Sequence, residues 1–363
     1  MNLQEAIAAY RNDSVIAAER GGIHLPGVKA YVPEEWKRDY RLAMDAQPQL
    51  TTDPNSGIPA FLTTLIDPAI YEILFSPNKA AIILGEQRKG TWLDQTAMFP
   101  TVEHTGEVSS YGDFNGNGRA GVNSDWPQRQ SYLYQTIKEY GELELERAGF
   151  GRINWVTDID RAAALSLNKF QNQTYFYGVQ GLQNYGLLND PNLSAPISPA
   201  AKAWGGTAWI SGGQIKATAN EVFADIQALF FQLVAQTNGL VEAEAKLVLA
   251  MSPGSAVALT ATNSFNVNVY ELLKKNFPHI RFETAVQYGA LTASNPQGTA
   301  GGNYVQLIAE EVEGQKAGYC AFNEKMRAHP IIREMSAFKQ KLTAGTWGAI
   351  IRMPVLFAGL LGV

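Results

Sequence analysis

Residues 85 to 135 constrain this chain more than any other stretch. They are rich in Gly, Thr, Ser, Asn and Asp and show no helical apolar stripe, so they cannot close a core of their own. WLDQTAMFPTVEHTGEVSSYG reads as one extended strand and QRQSYLYQTIKEYG as its return. The glycine-rich DFNGNGRAGVNSD (113–125) lies between them. The pattern predicts a ribbon that runs out and back. A lone two-stranded ribbon is marginal in water, so it needs a surface to lie on.

The glycine-rich turn matches two ligand motifs in part. Asp113, Asn115, Asn117 and Gly118 fit the first, third, fifth and sixth places of an EF-hand calcium loop. The twelfth place is Ser124, which has no bidentate carboxylate to give. Asn and Gly tolerate positive φ and Asp closes local hydrogen bonds, so a plain turn explains the same letters. Asp113, Asn115 and Asn117 are the residues a calcium ion would take, and no metal is expected. Gly116, Gly118 and Gly121 spell GxGxxG, yet no buried strand precedes them and no helix follows, as a dinucleotide site requires. GEQRKGT places Thr91 where a phosphate loop needs Lys. No cofactor is expected.

Catalytic constellations are also missing. Cys320 sits in apolar AGYCAF and reads as an inert thiol. His24, His104, His279 and His329 fall in four separate segments without metal-ligand spacing. Glu142, Glu144 and Glu146 in GELELER alternate as on one face of a strand. Solvated charge or intersubunit ion pairs explain them better than a glycosidase-like cluster. The expectation is a protein that is not an enzyme.

Composition narrows the class further. Hydrophobic residues make up 46% and charged residues 17% of the 363, ample for sizeable cores and unlike a disordered chain. So little charge leaves much of the polar surface to Asn, Gln, Ser, Thr and Gly, which suits packing against other chains. A formal net charge of -5 without a basic run excludes a dedicated nucleic-acid binder. The single cysteine excludes an internal disulfide framework. No signal-peptide pattern opens the chain. Arg352 and Pro354 interrupt the longest apolar run, GTWGAIIRMPVLFAGLLGV, so a buried terminal strand is expected there and not a membrane span.

Residues 1–60 begin amphipathic and turn polar around Pro48, Pro54 and Pro59, which predicts an arm lying over another surface. FLTTLIDPAIYEILF is apolar, and AAIILG reads as a strand. TDIDRAAALSLNKFQNQTYFYG predicts a helix capped by Thr157 or Asp158. Ile159, Ala163, Leu167, Phe170, Thr174 and Tyr177 form its stripe and Gly178 its stop. TANE opens a second helix with a capping box, Thr218 and Glu221, ahead of Val222, Ile226, Leu229 and Leu233. After residue 245, strand and helix patterns alternate through AKLVLAMS, VNVYELLKKNF, HIRFETAVQY, NYVQLIAEEV and AGYCAF. The fold class is α+β.

A loose arm, a long ribbon, one long helix, a mixed unit and a returning strand, in that order, resemble the major capsid proteins of tailed bacteriophages. These have the Hong Kong 97-type fold, which encapsulins share. The likeness is clearest over GELELERAGFGRINWVTDIDRAAALSLNKFQNQTYFYGVQGLQNYGLLNDP, where a long helix precedes a segment like the family's GLLND-P, here Gly186–Pro191. The tail TWGAIIRMPVLFAGLLGV is similar to the family's closing strand.

The resemblance implies an N-terminal arm at 1–60, a peripheral-domain entry at 61–84 and an E-loop at 85–140. It implies a peripheral domain at 141–215 with its spine helix at 157–177, an axial domain at 216–335, and a return to the peripheral domain at 336–363. It also implies hexamers and pentamers of an icosahedral shell around packaged double-stranded DNA, held without sequence-specific contacts. The protein would reside in the virion after assembly in the host cytoplasm, away from membranes. Its partners would be other copies of itself, scaffolding and portal proteins, and a decoration protein. An encapsulin-type compartment shell is the alternative. Since the spine helix begins at 157, an uncleaved product with a separate scaffold is expected. The E-loop would lie across a neighbouring copy. Its candidate contacts are Trp92, Tyr111, Asp113, Phe114, Arg119, Trp126, Tyr132 and Tyr134.

Overall fold

The computed structural model describes residues 78–151 and 153–363. The expected arm, FLTTLIDPAIYEILF and most of the peripheral-domain entry lie outside the described residues.

In chain order, helix α1 (Ala80–Leu84) leads into β1 (Glu86–Arg88). The ribbon region follows as β2 (Thr96–Met98), β3 (Thr101–Glu107), β4 (Arg119–Asp125) and β5 (Gln128–Gln130), and β6 (Tyr132–Gly141) returns to the body. Helices α2 (Glu142–Phe150) and α3 (Trp155–Tyr177) come next, then β7 (Ile210–Ser211), β8 (Gln214–Ile215) and α4 (Ala219–Gln236). A mixed stretch holds β9 (Leu247–Met251), α5 (Pro253–Ala256), α6 (Val269–Asn276), β10 (Ile280–Thr284) and β11 (Tyr304–Ala309). The chain closes through β12 (Glu311–Val312), β13 (Gln315–Lys316), β14 (Gly318–Ala328), β15 (Ile332–Arg333), β16 (Ala337–Ile351) and β17 (Phe357–Leu361).

Two sheets organise these elements. In the first, β16 is central: β6 runs antiparallel along one edge, from Ala337↔Gly141 to Thr346↔Tyr132, and β14 and β15 run antiparallel along the other. β1 adds in parallel to the far side of β14. Helix α3 lies across one face of this sheet, where Ala163 and Leu167 pack on Leu342, Ala344 and Tyr134. Lys138 of β6, its side chain nearly sealed, pairs with Asp160 of α3. The second sheet has the order β10–β9–β11–β17, with β9 and β10 parallel and the other pairs antiparallel. Strand β9 is buried at every position, and its uninterrupted LVLAM is the pattern of a strand covered on both faces. One core runs through both sheets and includes Ile83, Phe176, Leu229, Leu249, Cys320 and Phe357.

Helix α4 begins as its capping box dictates. Glu221 N donates to Thr218 Oγ1 at 3.4 Å and Thr218 N donates to the Glu221 carboxylate at 2.7 Å. Val222, Ile226, Leu229 and Leu233 are buried, and Asn238 takes φ 51° just past the helix end. Asp225 on this helix accepts from Lys202 Nζ at 2.5 Å and from Trp209 Nε1 at 2.7 Å, which ties the preceding loop onto it.

Four local expectations are corrected. AAIILG forms a helix: Ala80 and Ile83, one turn apart, are buried, and Asn172 Oδ1 accepts from Ala80 N at 3.1 Å. A short apolar run carries no period that separates helix from strand. GELELER is helical, with no residue of α2 buried, so its alternation of Glu and Leu did not report burial. Glu142 and Glu144 instead sit in the first turn, where the helix dipole favours acids. Helix α3 starts at Trp155, with Asn154 at the cap and not Thr157 or Asp158. The apolar tail divides into two strands in different sheets, because Pro354 has no N–H to continue the ladder of β16.

Candidate functional site

The ribbon leaves the body in two stages. Nearest the body, β2 pairs with β5 from Thr96↔Gln130 to Met98↔Gln128. Farther out, β3 pairs with β4 from Thr101↔Asp125 to Glu107↔Arg119. Pro100 and Pro127, one on each strand, fall at the break and remove two donors from the ladder, and Phe99 N donates to Pro127 O at 3.0 Å there.

Its base is fixed by a motif whose Asp190 lies 61 residues downstream of Arg129 in sequence. Arg129 of β5 donates to Asp190 Oδ2 at 2.8 Å, with side chains 8% and 0% exposed, and its guanidinium lies 4.9 Å from the Tyr185 ring centre. Asn184 Nδ2 donates to Gln130 O at 3.0 Å and to Thr346 O at 3.2 Å. The segment holding these partners folds tightly back on the end of α3. A Cβ at Gly178, where φ is 64°, would lie 2.1 Å from Asn184 O, and one at Gly186 would lie 2.2 Å from the Phe176 backbone. Leu187 N and Leu188 N donate to Tyr175 O and Phe176 O at 2.8 and 3.0 Å. Gly186–Pro191 is therefore a clamp: glycine permits the approach, Leu187 is buried, and Asp190 holds Arg129. On the other side Arg352 donates to Pro100 O at 3.3 Å and lies over Phe99.

Beyond the two prolines every residue of β3 and β4 is exposed. At about 3.4 Å per residue the far stage is ~24 Å long. The tip holds itself by local hydrogen bonds. Tyr111 donates to Asp113 Oδ1 at 2.8 Å, Asn117 N to Asn115 Oδ1 at 3.0 Å, and Asn115 Nδ2 to Ser110 O at 2.6 Å. Gly118 turns the chain at φ 90°. Two of the three calcium candidates, Asp113 and Asn115, thus have a side-chain oxygen engaged within the loop. Among the described residues no group of three or more His, Cys, Asp or Glu side chains is placed to hold a metal ion. Gly121 of the GxGxxG lies within strand β4, and no helix follows it.

The candidate contact residues divide between ribbon and body. Tyr111 and Phe114 stand in solvent at the tip, 93% and 103% exposed, beside Asp113; Arg119 opens β4 and Trp126 lies at the proline break. Trp92 is half-buried beneath the Arg327 guanidinium, 5.6 Å from the ring centre. Tyr132 and Tyr134 are half-buried on β6, with ring centres 6.0 and 4.7 Å from that of Phe170 in α3. Burial, and then the Glu86 carboxylate, push the Tyr134 phenol up. Sequence reasoning missed the anchor itself. Asp190 stood inside the quoted Gly186–Pro191 segment, but nothing local tied it to Arg129.

Against known proteins, the family model of the Pa193 gp26 major capsid protein matches residues 49–362. No curated protein matches the chain. Among solved structures, the capsid of Myoviridae phage XM1 aligns with a TM-score of 0.67 at 14% identity, covering 85% of this chain and 100% of that one. The capsid of the native GTA particle gives 0.55 at 10% identity, over 87% and 100% of the two chains. Mycobacterium phage Ogopogo gives 0.52 at 11%, over 83% and 96%. At these identities the structural likenesses establish a shared fold, that of the Hong Kong 97-type capsids, while the family match spans most of the sequence. The chain belongs to the Pa193 gp26 major capsid protein family, and it is a structural major capsid protein of a phage.

Proposed function

We propose that copies of this chain assemble into hexamers and pentamers of a closed icosahedral shell around packaged double-stranded DNA, with the ribbon of each copy lying across a neighbour. The observation that carries this reading is the β3–β4 ribbon, exposed along its whole length yet aimed by a buried ion pair at its base. Such a ribbon is marginal alone and gains stability only by covering another surface. Tyr111, Asp113, Phe114, Arg119 and Trp126 supply its contacts, and Trp92, Tyr132 and Tyr134 support it from the body. Contacts that are weak singly suit reversible assembly and add up through multivalency.

In this reading the arm takes 1–60, the peripheral-domain entry 61–84 and the E-loop 85–140. The peripheral domain takes 141–215 with the spine helix, the axial domain 216–335 and the return 336–363. The protein works in the virion without catalysis or cofactor and is assembled in the host cytoplasm with scaffolding and portal proteins, and a decoration protein can bind the finished shell. A net charge of -5 fits a container that must release its DNA better than one that grips it. No helix among the described residues is long and apolar enough to cross a membrane.

Deleting residues 113–123 tests the ribbon's role. Particle yield should fall while the subunit keeps its secondary structure; an unchanged yield would refute that role. Nuclease-protected DNA within particles supports the phage reading, and protein cargo without DNA would favour the encapsulin alternative.

A further inference from the structure

The sequence holds three Asn-Gly dipeptides: Asn115–Gly116, Asn117–Gly118 and Asn238–Gly239. An asparagine before glycine can modify itself without a catalyst, because no Cβ on the next residue keeps its backbone nitrogen from the side-chain carbonyl carbon. In a folded chain the reaction needs a free carboxamide, a free N–H on the glycine, and water to take up the proton. All three asparagines are exposed, so water reaches each of them. The fold separates them by the other two requirements.

At Asn238 the attacking nitrogen is engaged: Gly239 N donates to Val234 O at 2.9 Å and closes the end of α4. At Asn115 the carboxamide is held at both ends. Its Oδ1 accepts from Asn117 N at 3.0 Å, and its Nδ2 donates to Ser110 O at 2.6 Å, a bond that expelling Nδ2 must break. Asn117 has neither restraint. Its carboxamide makes no hydrogen bond among the described residues, and neither does Gly118 N. One bond is made instead where it favours reaction: Ser109 Oγ donates to Asn117 O at 2.8 Å. That oxygen belongs to the same peptide group as Gly118 N, and it takes up negative charge when the nitrogen loses its proton. A donor already aimed at a developing anion strengthens as the charge appears. Ser109 therefore acidifies the attacking nitrogen.

We propose that Asn117 is a site of spontaneous deamidation, promoted by Ser109, and that the fold spares Asn115 and Asn238. Gly118 N gives its proton to water or hydroxide and attacks Asn117 Cγ. The N–Cγ bond forms, the Cγ–Nδ2 bond breaks, and Nδ2 leaves as ammonia after taking a proton from water. Water then opens the resulting succinimide. Breaking the new N–Cγ bond gives aspartate; breaking the old backbone C–N bond gives isoaspartate, with the chain rerouted through Cγ. Either product puts a carboxylate at the ribbon tip, which already carries Asp113, where a neutral side chain stood. Isoaspartate also adds a methylene to the main chain just before Gly118, whose φ of 90° turns the ribbon into β4. The glycine-rich turn thus has a chemistry of its own that needs only water and a folded ribbon, whether or not the chain is assembled.

Incubating the purified chain in warm, mildly alkaline buffer and mapping its peptides by mass spectrometry tests this, with isoaspartyl methylation as a second readout. In the folded chain Asn117 should convert several times faster than Asn115 or Asn238. In urea the three sites should converge, since all share the Asn-Gly dipeptide and only the fold distinguishes them. Ser109→Ala, at an exposed position, should slow conversion of Asn117 about fivefold, the rate equivalent of about 1 kcal/mol between a neutral and a charged hydrogen bond. Ser109→Thr keeps the hydroxyl and should restore the rate, and circular dichroism checks that both variants keep the fold. Conversion of Asn115 or Asn238 as fast as Asn117 in the folded chain would overturn the proposal. So would a preference for Asn117 that persists undiminished in urea. An unchanged rate in Ser109→Ala would overturn the role of Ser109.

Discussion

Replacing Asp190 with Ala removes the carboxylate that holds the ribbon's base. Arg129 stays where it is, with its side chain 8% exposed, so its guanidinium cannot be rehydrated unless the base opens. Removing one partner of a buried pair costs about 3–5 kcal/mol, because the other charge is left desolvated. Asp190 Oδ1 also accepts from Asn192 N at 3.0 Å, and losing that bond costs about 1 kcal/mol more. The Tyr185 ring and a 3.4 Å contact to Gln128 O remain to Arg129 and offset part of this. The expected loss is therefore about 4 kcal/mol. Urea unfolding of the unassembled subunit, followed by circular dichroism, measures it. With a slope of about 3 kcal/mol/M the midpoint should fall by about 1 M or more. Arg129→Met combined with Asp190→Leu removes both charges and should recover most of the loss. A drop below about 1 kcal/mol for Asp190→Ala, the range of a surface pair, would refute the buried clamp.

Gly178→Ala should cost at least about 2 kcal/mol, since it combines a left-handed backbone with a Cβ 2.1 Å from Asn184 O. Gly116→Ala, with open space around it, should be close to neutral when both variants are unfolded in urea. Leu229→Ala empties a fully buried position on α4 and should destabilise by about 3 kcal/mol in chemical denaturation. Burial pushes the Tyr177 and Tyr304 phenols up to about 12, from the ordinary 10.0. A raised folded value means this contribution to stability is complete below pH 10 and lost as pH rises through 12. Tyrosinate absorbance should therefore show these residues ionising together with alkaline unfolding. Their ionisation at ordinary values in a subunit that stays folded would contradict the burial.

What sequence revealed depended on how far each signal reached along the chain. Thr218 and Glu221 announced α4 because a capping box is complete within four residues. Leu167 and Ala163 marked the buried stripe of α3 because helical period is also local. The outward ribbon was legible through what it lacked, an apolar period. Pairing across the chain was not legible. β6 finds β16 some two hundred positions later, and β1 joins β14 in parallel, with no turn to announce either. The anchor shares this origin, since neither Arg129 nor Asp190 looks unusual among its neighbours. Local signals also misled where short runs carried two meanings. AAIILG is apolar enough for strand or helix, and only its packing beneath Asn172 decides. GELELER alternates like a strand, but its leucines are not buried and its acids serve a helix start.

Negative-stain electron microscopy of the purified chain, paired with sedimentation velocity, tests the assembly account most directly. The account predicts closed shells, or hexamers and pentamers in solution. A monomer at every concentration, even with its scaffold supplied, would contradict it.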